Sequence, residues 1–273
     1  MVRPGVAAEG SCGEPRAESL VLTFLENKLL FRPASAAEDW QPAPIPQIED
    51  VDLQSADGTP IHAWYLPHPT SRGAVLYFHG NAGNLSHRGF SIVKLREALG
   101  CAVLIVDYPG YGKSGGRPSE KGCYLAADVA YTWLTEQKGF AGENILLFGA
   151  SLGGAVAVDL ARHRPHRALV LIKTFTSAPD VGARYYPWLP VRWLMRNRFN
   201  SREKIKDVHT PVFVAHGDGD RIIPFPIGKE LYEAANEPKA FLVLEGQDHN
   251  DRLGEGFFRG LLPFLREHAP LPE

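Results

Sequence analysis

Six short apolar runs alternate with segments of helical spacing along most of this chain, and that alternation constrains the fold more than any other feature. The runs are GAVLYFHG (73–80), AVLIVDY (102–108), NILLFGAS (144–151), ALVLIKTF (168–175), PVFVAHG (211–217) and KAFLVLEG (239–246). Between them lie SHRGFSIVKLREALG, SEKGCYLAADVAYTWLTEQKGF, LGGAVAVDLARHR and GKELYEAANE, all with helical periodicity. Continuous apolar runs of this length are strands buried on both faces. Strand, helix, strand at this rhythm predicts an α/β protein: a mostly parallel central sheet with helices on both faces.

Two regions depart from the rhythm. Residues 48–67, IEDVDLQSADGTPIHAWYLP, are two alternating runs around Asp57-Gly58, which reads as an N-terminal antiparallel hairpin with a type I′ turn signal. Residues 177–207 are too long for a plain crossover and too aromatic for a solvated loop. Tyr185, Tyr186, Trp188, Trp193, Leu194 and Met195 form either a helix edge buried in the core or a small helical cap insertion. The cap is favoured, because open α/β sheets place their ligands at the C-terminal edge. Tyr185, Tyr186, Trp188, Trp193 and Met195 are then expected to line the substrate site.

At 273 residues the chain can bury a sizeable core, and no linker or repeat divides it. Residues 19–273 read as one domain after a loose N-terminus, 1–18. No apolar run is long enough to cross a bilayer, and the N-terminus lacks the apolar block of a signal peptide, so a cytoplasmic protein is expected. The segment SLVLTFLENKLLF (19–31) is a short apolar helix that packs on the domain or binds a membrane or partner. Its polar side offers Lys28 against Glu26, with Arg32 just beyond, too little basic charge to favour the membrane. A formal net charge of −2 gives no support for nucleic-acid binding. Cys12, Cys101 and Cys123 cannot all pair and read as buried free thiols where they meet strand or helix. No Cys/His cluster has zinc spacing, and neither metal nor cofactor is expected.

The stretch DYPGYGKSGG (107–116) ends like a phosphate-binding loop in Gly112-Lys113-Ser114. Such a loop needs glycine where Asp107 stands, and Pro109 removes a backbone donor that a phosphate nest uses. Nucleotide binding is therefore not expected.

The strongest chemical signal is Gly149-Ala150-Ser151-Leu152-Gly153, a G-x-S-x-G between an apolar strand and a small-residue helix. A serine on that sharp turn has its hydroxyl lifted above the sheet, beside the free N–H groups of the helix start. Serine alone is a weak nucleophile and needs a base held by an acid. In this architecture both come later in the chain, acid first. Strand 211–217 runs into Asp218-Gly219-Asp220, and strand 239–246 into Gln247-Asp248-His249. His249 is the candidate base. Asp220, just before Ile222-Ile223, is preferred over Asp218 as the acid. An oxyanion hole needs two fixed N–H groups. Leu152 supplies one, and the loop His79-Gly80-Asn81-Ala82-Gly83-Asn84 the other, with Asn81 first and Ala82 second. His79 reads as a structural histidine.

Together HGNAGN, DYPGYGKSGG, GASLGG, HGDGD and GQDHND resemble, in this order and spacing, the α/β-hydrolase superfamily, over roughly residues 20–267. Within it the similarity is to single-domain serine hydrolases with an HGNxGN loop, the esterase, lipase and thioesterase relatives. The resemblance implies the α/β-hydrolase fold and a cofactor-independent serine esterase acting on small acyl esters of short to medium chain. It makes Asp107–Gly116 a structural turn beside the site, with Asp107 hydrogen-bonded to nearby backbone. Acyl thioesters, lysophospholipids and then peptides are the alternative substrates. A non-catalytic binding module on the same scaffold is the alternative class. Relatives commonly carry Glu-Ser where this chain has Ile172-Lys173, and Lys173 is expected either to alter substrate preference or to face solvent. Many relatives also begin with a membrane anchor. Here membrane association is an open but unfavoured expectation.

Overall fold

The computed structural model describes residues 26–28 and 30–272. Cys12, the loose segment 1–18 and most of the expected helix 19–31 lie outside them. The end of that helix is inside: Glu26–Lys28 and Leu30 are helical, and Phe31 is buried with its ring edge-on to Phe199.

The chain then runs through β1 (Arg32–Pro33), β2 (Glu49–Gln54), β3 (Pro60–Leu66), β4 (Ala74–Phe78), β5 (Ala82–Gly83), α1 (Gly89–Leu99), β6 (Ala102–Val106), α2 (Glu120–Thr132), β7 (Ile145–Ala150), α3 (Leu152–Ala161) and β8 (Ala168–Ile172). After β8 come three short helices, α4 (Ala178–Tyr185), α5 (Val191–Leu194) and α6 (Ser201–Lys204). The chain ends in β9 (Val212–Gly217), α7 (Phe225–Ala234), β10 (Lys239–Leu244) and α8 (Glu255–His268).

Eight strands form one sheet in the order β10-β9-β8-β7-β4-β6-β3-β2. It is parallel from β10 to β6, with β3 and β2 added antiparallel. Alternate residues of each strand feed opposite layers, as the two-residue period of a strand requires. Ala74, Leu76 and Phe78 of β4 join the core under α2, α3 and α7. Val75 and Tyr77 join the core under α1 and α8. The predicted parallel sheet with helices on both faces is what the apolar runs build. Because β6 and β7 flank β4 on opposite sides, the chain reverses direction across the sheet there, and a crevice opens at the strands' carboxyl ends.

The hairpin β2–β3 is present, but its turn is not type I′. Of the loop Ser55–Thr59 only Gly58 has positive φ, at 83°, whereas type I′ needs two such residues. Gly58 N–H donates to the Ser55 carbonyl (2.8 Å) and Ser55 N–H to that of Thr59 (3.0 Å). The Asp57 carboxylate accepts from Ser55 Oγ at 2.7 Å and Thr59 N at 3.1 Å. Asp57 thus closes the turn through its side chain, and the Asp-Gly pair marks the turn without fixing its type.

One pairing has no counterpart in the apolar pattern. β1 and β5 form a two-stranded parallel ladder, extended by a bridge between Ser35 and Gly112. It fastens the HGNAGN loop to the chain segment that precedes the hairpin.

Candidate active site

The strand β7 passes into α3 through Ser151, whose φ of 52° and ψ of −120° lie in a region that side chains rarely adopt. Tight packing holds it there. A Cβ at Gly149 would lie 2.4 Å from the Gly153 carbonyl oxygen, and one at Gly153 would lie 2.0 Å from that of Phe78. Only glycine allows the helix to start this close to the sheet. Ser151 N–H donates to the Ile172 carbonyl at 2.9 Å, and Thr174 Oγ1 donates to the Ser151 carbonyl at 2.7 Å. The strained turn is therefore tied to the end of β8.

Ser151, His249 and Asp220 come together from the ends of three strands. His249 Nε2 lies 3.0 Å from Ser151 Oγ, and His249 Nδ1 lies 2.8 Å from Asp220 Oδ2. A carboxylate on Nδ1 fixes the proton there and leaves Nε2 as the acceptor facing the serine. The other Asp220 oxygen accepts from the N–H groups of Ile222 (2.9 Å) and Ile223 (2.7 Å). Burial alone would raise the Asp220 carboxyl. Hydrogen bonds from His216 and His249, the attraction of His249 and the Ile223 N–H outweigh it and hold the group below its ordinary value. Asp218 is exposed and accepts from Gly246 N–H at 2.6 Å, a turn-forming role.

The HGNAGN loop crosses the same crevice. A Cβ on Gly80 would stand 3.4 Å from Ser151 Cβ, so the backbone here passes close over the serine. Asn81 has its carbonyl held by Arg32 N–H (3.0 Å) and Tyr111 OH (2.7 Å), and its side-chain amide donates to the Leu30 carbonyl (2.9 Å). Asn84 Nδ2 donates to the carbonyls of Ala34 (3.1 Å) and Asp39 (2.7 Å). Ala82, in β5, is exposed and stands in register with Arg32 of β1. Leu152 is the first residue of α3, and the first four N–H groups of a helix have no partner inside it.

The DYPGYGKSGG stretch supports this loop from below. Asp107 Oδ1 accepts from Leu85 N–H at 2.8 Å and from His79 Nε2 at 3.0 Å. Tyr108 OH donates to the His79 carbonyl at 2.8 Å. Burial pushes both the Tyr108 and the Tyr111 phenol up, so they stay protonated donors. His79 is fully buried, with its Nδ1 against the Gly80 carbonyl at 2.7 Å.

Two further contributors, His216 and the Arg221–Asp248 pair, take roles that no motif marks, and Lys173 is a third. His216 donates from Nε2 to the Ile223 carbonyl at 2.8 Å and reaches Asp220 Oδ2 at 3.4 Å. Its signal was a polar residue inside the buried run VFVAHG. Arg221 grips Asp248 with both backbone N–H (3.0 Å) and Nε (2.7 Å), while Asp248 also accepts His249 N–H at 2.7 Å. These bonds draw the Asp248 carboxyl down to about 2 and join the acid loop to the base loop. The third is Lys173, which does not face solvent: it is 3% exposed with φ of 47°. Its Nζ donates to the carbonyls of Asp248 (2.6 Å) and Asp251 (2.9 Å). Burial lowers its pKa, partly offset by Asp251, Asp220 and Asp248. A cation at this strand end is drawn inward because the turn around His249 leaves carbonyls pointing at it.

The five residues expected to line a substrate site lie in or between α4 and α5, or directly after α5. Tyr185 OH donates to the carbonyls of Arg221 and Ile222, both at 2.8 Å, in the loop that carries Asp220. Met195 is half-buried against the core, with its sulfur 3.3 Å from where a Cβ on Gly182 would stand. Tyr186 and Trp188 stack edge-on with each other at 6.2 Å and are exposed, as is Trp193. The run YYPWLP carries two prolines that interrupt the helix and turn these rings outward.

The description "alpha/beta hydrolase fold" belongs to the family model that matches residues 73–194. An uncharacterized protein of Mycobacterium tuberculosis is 43% identical over 229 residues, 83% of this chain and 81% of its own length. The alpha/beta hydrolase domain-containing protein WAV2 of Arabidopsis thaliana is 32% identical over 278 residues, 92% of this chain and 90% of that one. Among solved structures, an esterase of Pyrococcus furiosus superposes with a TM-score of 0.70 at 20% identity, covering 88% of this chain and 98% of its own. With the sheet order, the serine turn between β7 and α3 and these relatives in hand, the chain belongs to the alpha/beta hydrolases.

Proposed function

We propose that this protein is a cofactor-independent serine hydrolase of carboxylic esters with short to medium acyl chains. The observation that carries the reading is the unbroken relay from Ser151 Oγ through His249 to Asp220, at 3.0 and 2.8 Å. Ser151 attacks the acyl carbonyl while His249 Nε2 takes its proton. Asp220 stabilises the imidazolium without being protonated itself. The tetrahedral oxyanion is held by the N–H groups of Leu152 and Asn81, with Ala82 as the second choice beside Asn81. Preorganisation supports this part of the reading, since the Asn81 backbone carbonyl and side-chain NH2 are already engaged by Arg32, Tyr111 and Leu30. Collapse of the intermediate expels the alcohol, which takes the proton from His249. Water then enters by the same route, and the acid leaves with Ser151 regenerated.

A binding module that has kept the scaffold without the chemistry has no need of a strained serine and an aligned imidazole. Turnover of p-nitrophenyl esters of increasing chain length, followed by thioesters and lysophospholipids, tests the reading. Ser151→Ala should abolish turnover and labelling by a fluorophosphonate. Residual activity above about a ten-thousandth of wild type would speak against covalent catalysis, because triad members act as a unit worth roughly 10⁴–10⁶-fold.

A further inference from the structure

Among the described residues nine large apolar side chains stand exposed, and eight of them lie at one end of the molecule. Tyr185, Tyr186, Trp188, Leu189, Trp193 and Leu194 belong to the insertion after β8. Ile222 follows β9, two residues past Asp220, and Phe90 opens α1, just after the loop that follows β4. All three connections leave the C-terminal edge of the parallel sheet, the edge that carries Ser151 and His249. Val243, on the edge strand β10, is the ninth.

Trp188 is 77% and Trp193 88% exposed. The segment that carries them is anchored at its base. Tyr185 OH is bonded to the Asp220 loop, Ala178 N–H donates to the Arg198 carbonyl (2.8 Å), and Arg198 Nη2 donates to the Arg192 carbonyl (3.0 Å). Its charge has one sign. Residues 181–199 include Arg184, Arg192, Arg196 and Arg198 and no Asp or Glu, and all four arginines are exposed. Asp180, at the base, pairs with Arg192 at 3.0 Å.

Indole and phenol rings beside arginines match the chemistry of a bilayer interface, where amphipathic rings sit at headgroup depth and cations meet lipid phosphates. A second copy of the chain is a poorer occupant, because a two-fold contact would bring this arginine-rich patch against itself. We propose that the 185–194 face docks on an anionic phospholipid surface and that the site takes acyl esters presented there. The choice of substrate rests on the ester-hydrolase reading; the docking does not. The expectation against membrane association concerns the polar side of segment 19–31 and not the aromatic insertion.

The full chain is mixed with phosphatidylcholine vesicles, with and without phosphatidylglycerol, and recovered by flotation. Expected is flotation that rises with phosphatidylglycerol, together with quenching of tryptophan fluorescence by brominated lipid. Trp188→Ala/Trp193→Ala should weaken partitioning roughly 10–100-fold, the loss of one or two buried aromatic side chains. Arg184→Gln/Arg198→Gln should blunt the response to phosphatidylglycerol. Ser151→Ala should float like wild type, which separates docking from chemistry. Flotation of Ser151→Ala with no ester turnover by wild type would sink the hydrolase reading and leave the docking standing. The docking is overturned if wild type does not float. It is equally overturned if brominated lipid leaves the fluorescence unchanged, or if the tryptophan double variant floats as well as wild type. A dimer that hides these rings and ignores vesicles also overturns it. Should the double variant fail to fold, the quenching of wild type decides.

Discussion

Lys173 Nζ donates to the carbonyl of Asp248 at 2.6 Å, one residue before the histidine that faces Ser151. A buried ammonium thus holds the turn from which the imidazole projects, and the second bond, to Asp251, closes that turn from the far side. Lys173→Met keeps the length of the side chain and removes both donors. It should lower kcat on the order of 10- to 100-fold with KM nearly unchanged, since a misplaced catalytic group loses rate before it loses binding. The orphaned carbonyls should also cost about 1–3 kcal/mol of stability. A kcat within twofold of wild type would show that His249 needs no such support.

The acid can be separated from its neighbour. Asp220 accepts four polar contacts, from His249, His216, Ile222 and Ile223, whereas Asp218 accepts one from Gly246 N–H. Asp220→Asn should cost on the order of 10⁴ in rate, because the wrong imidazole tautomer then faces Ser151. Asp218→Asn should change the rate far less. Esterase rates of the two variants, measured side by side, check the assignment, and the reverse order would refute it.

Acid should loosen the two site loops together. The Asp248 carboxyl sits at about 2 in the folded chain, below the roughly 3.9 of an unfolded aspartate. A depressed carboxyl contributes stability that is fully present above the unfolded value and is lost as pH falls from about 4 toward about 2. Asp220 is shifted in the same direction and adds to that loss. Urea denaturation at pH 6 and pH 3 should show wild type losing stability over this interval. Asp248→Asn should start lower and lose less. Equal losses in the two proteins would mean that the Arg221–Asp248 grip does not differ between folded and unfolded states.

What could be read along the chain is what is locally encoded. The strand rhythm gave β4 and β6 to β10, because burial on both faces leaves a continuous apolar run. The glycines around Ser151 and the turns after β9 and β10 marked the relay, since each motif sits directly on its own strand end. Lys173 was visible as a departure, but its direction depends on carbonyls 75 and 78 residues away. His216 acts through a loop that folds back on its own strand. The outward turn of Trp188 and Trp193 is set by backbone geometry that an apolar, aromatic composition does not specify.

The least legible support lies under the HGNAGN loop. Phe31 is 2% exposed, and its ring meets that of Phe199 with centroids 6.1 Å apart. Its N–H donates to the Asn27 carbonyl at 2.9 Å, so it joins the helical residues Glu26–Lys28 and Leu30 to β1. Glu26 in turn accepts from Asn197 N–H (2.7 Å) and Nδ2 (2.8 Å). This end of the predicted helix 19–31 is therefore docked, and β1 holds Asn81 through Arg32 N–H. Phe31→Ala should cost about 3–5 kcal/mol, the usual loss for a buried phenylalanine. It should also reduce kcat, because β1 then no longer fixes the Asn81 carbonyl. Deleting residues 1–31 should destabilise the protein at least as much. The comparison uses urea denaturation and ester turnover at a temperature where both variants remain folded. Unchanged kcat in Phe31→Ala despite the loss of stability would separate the docked segment from the loop and leave its role purely structural.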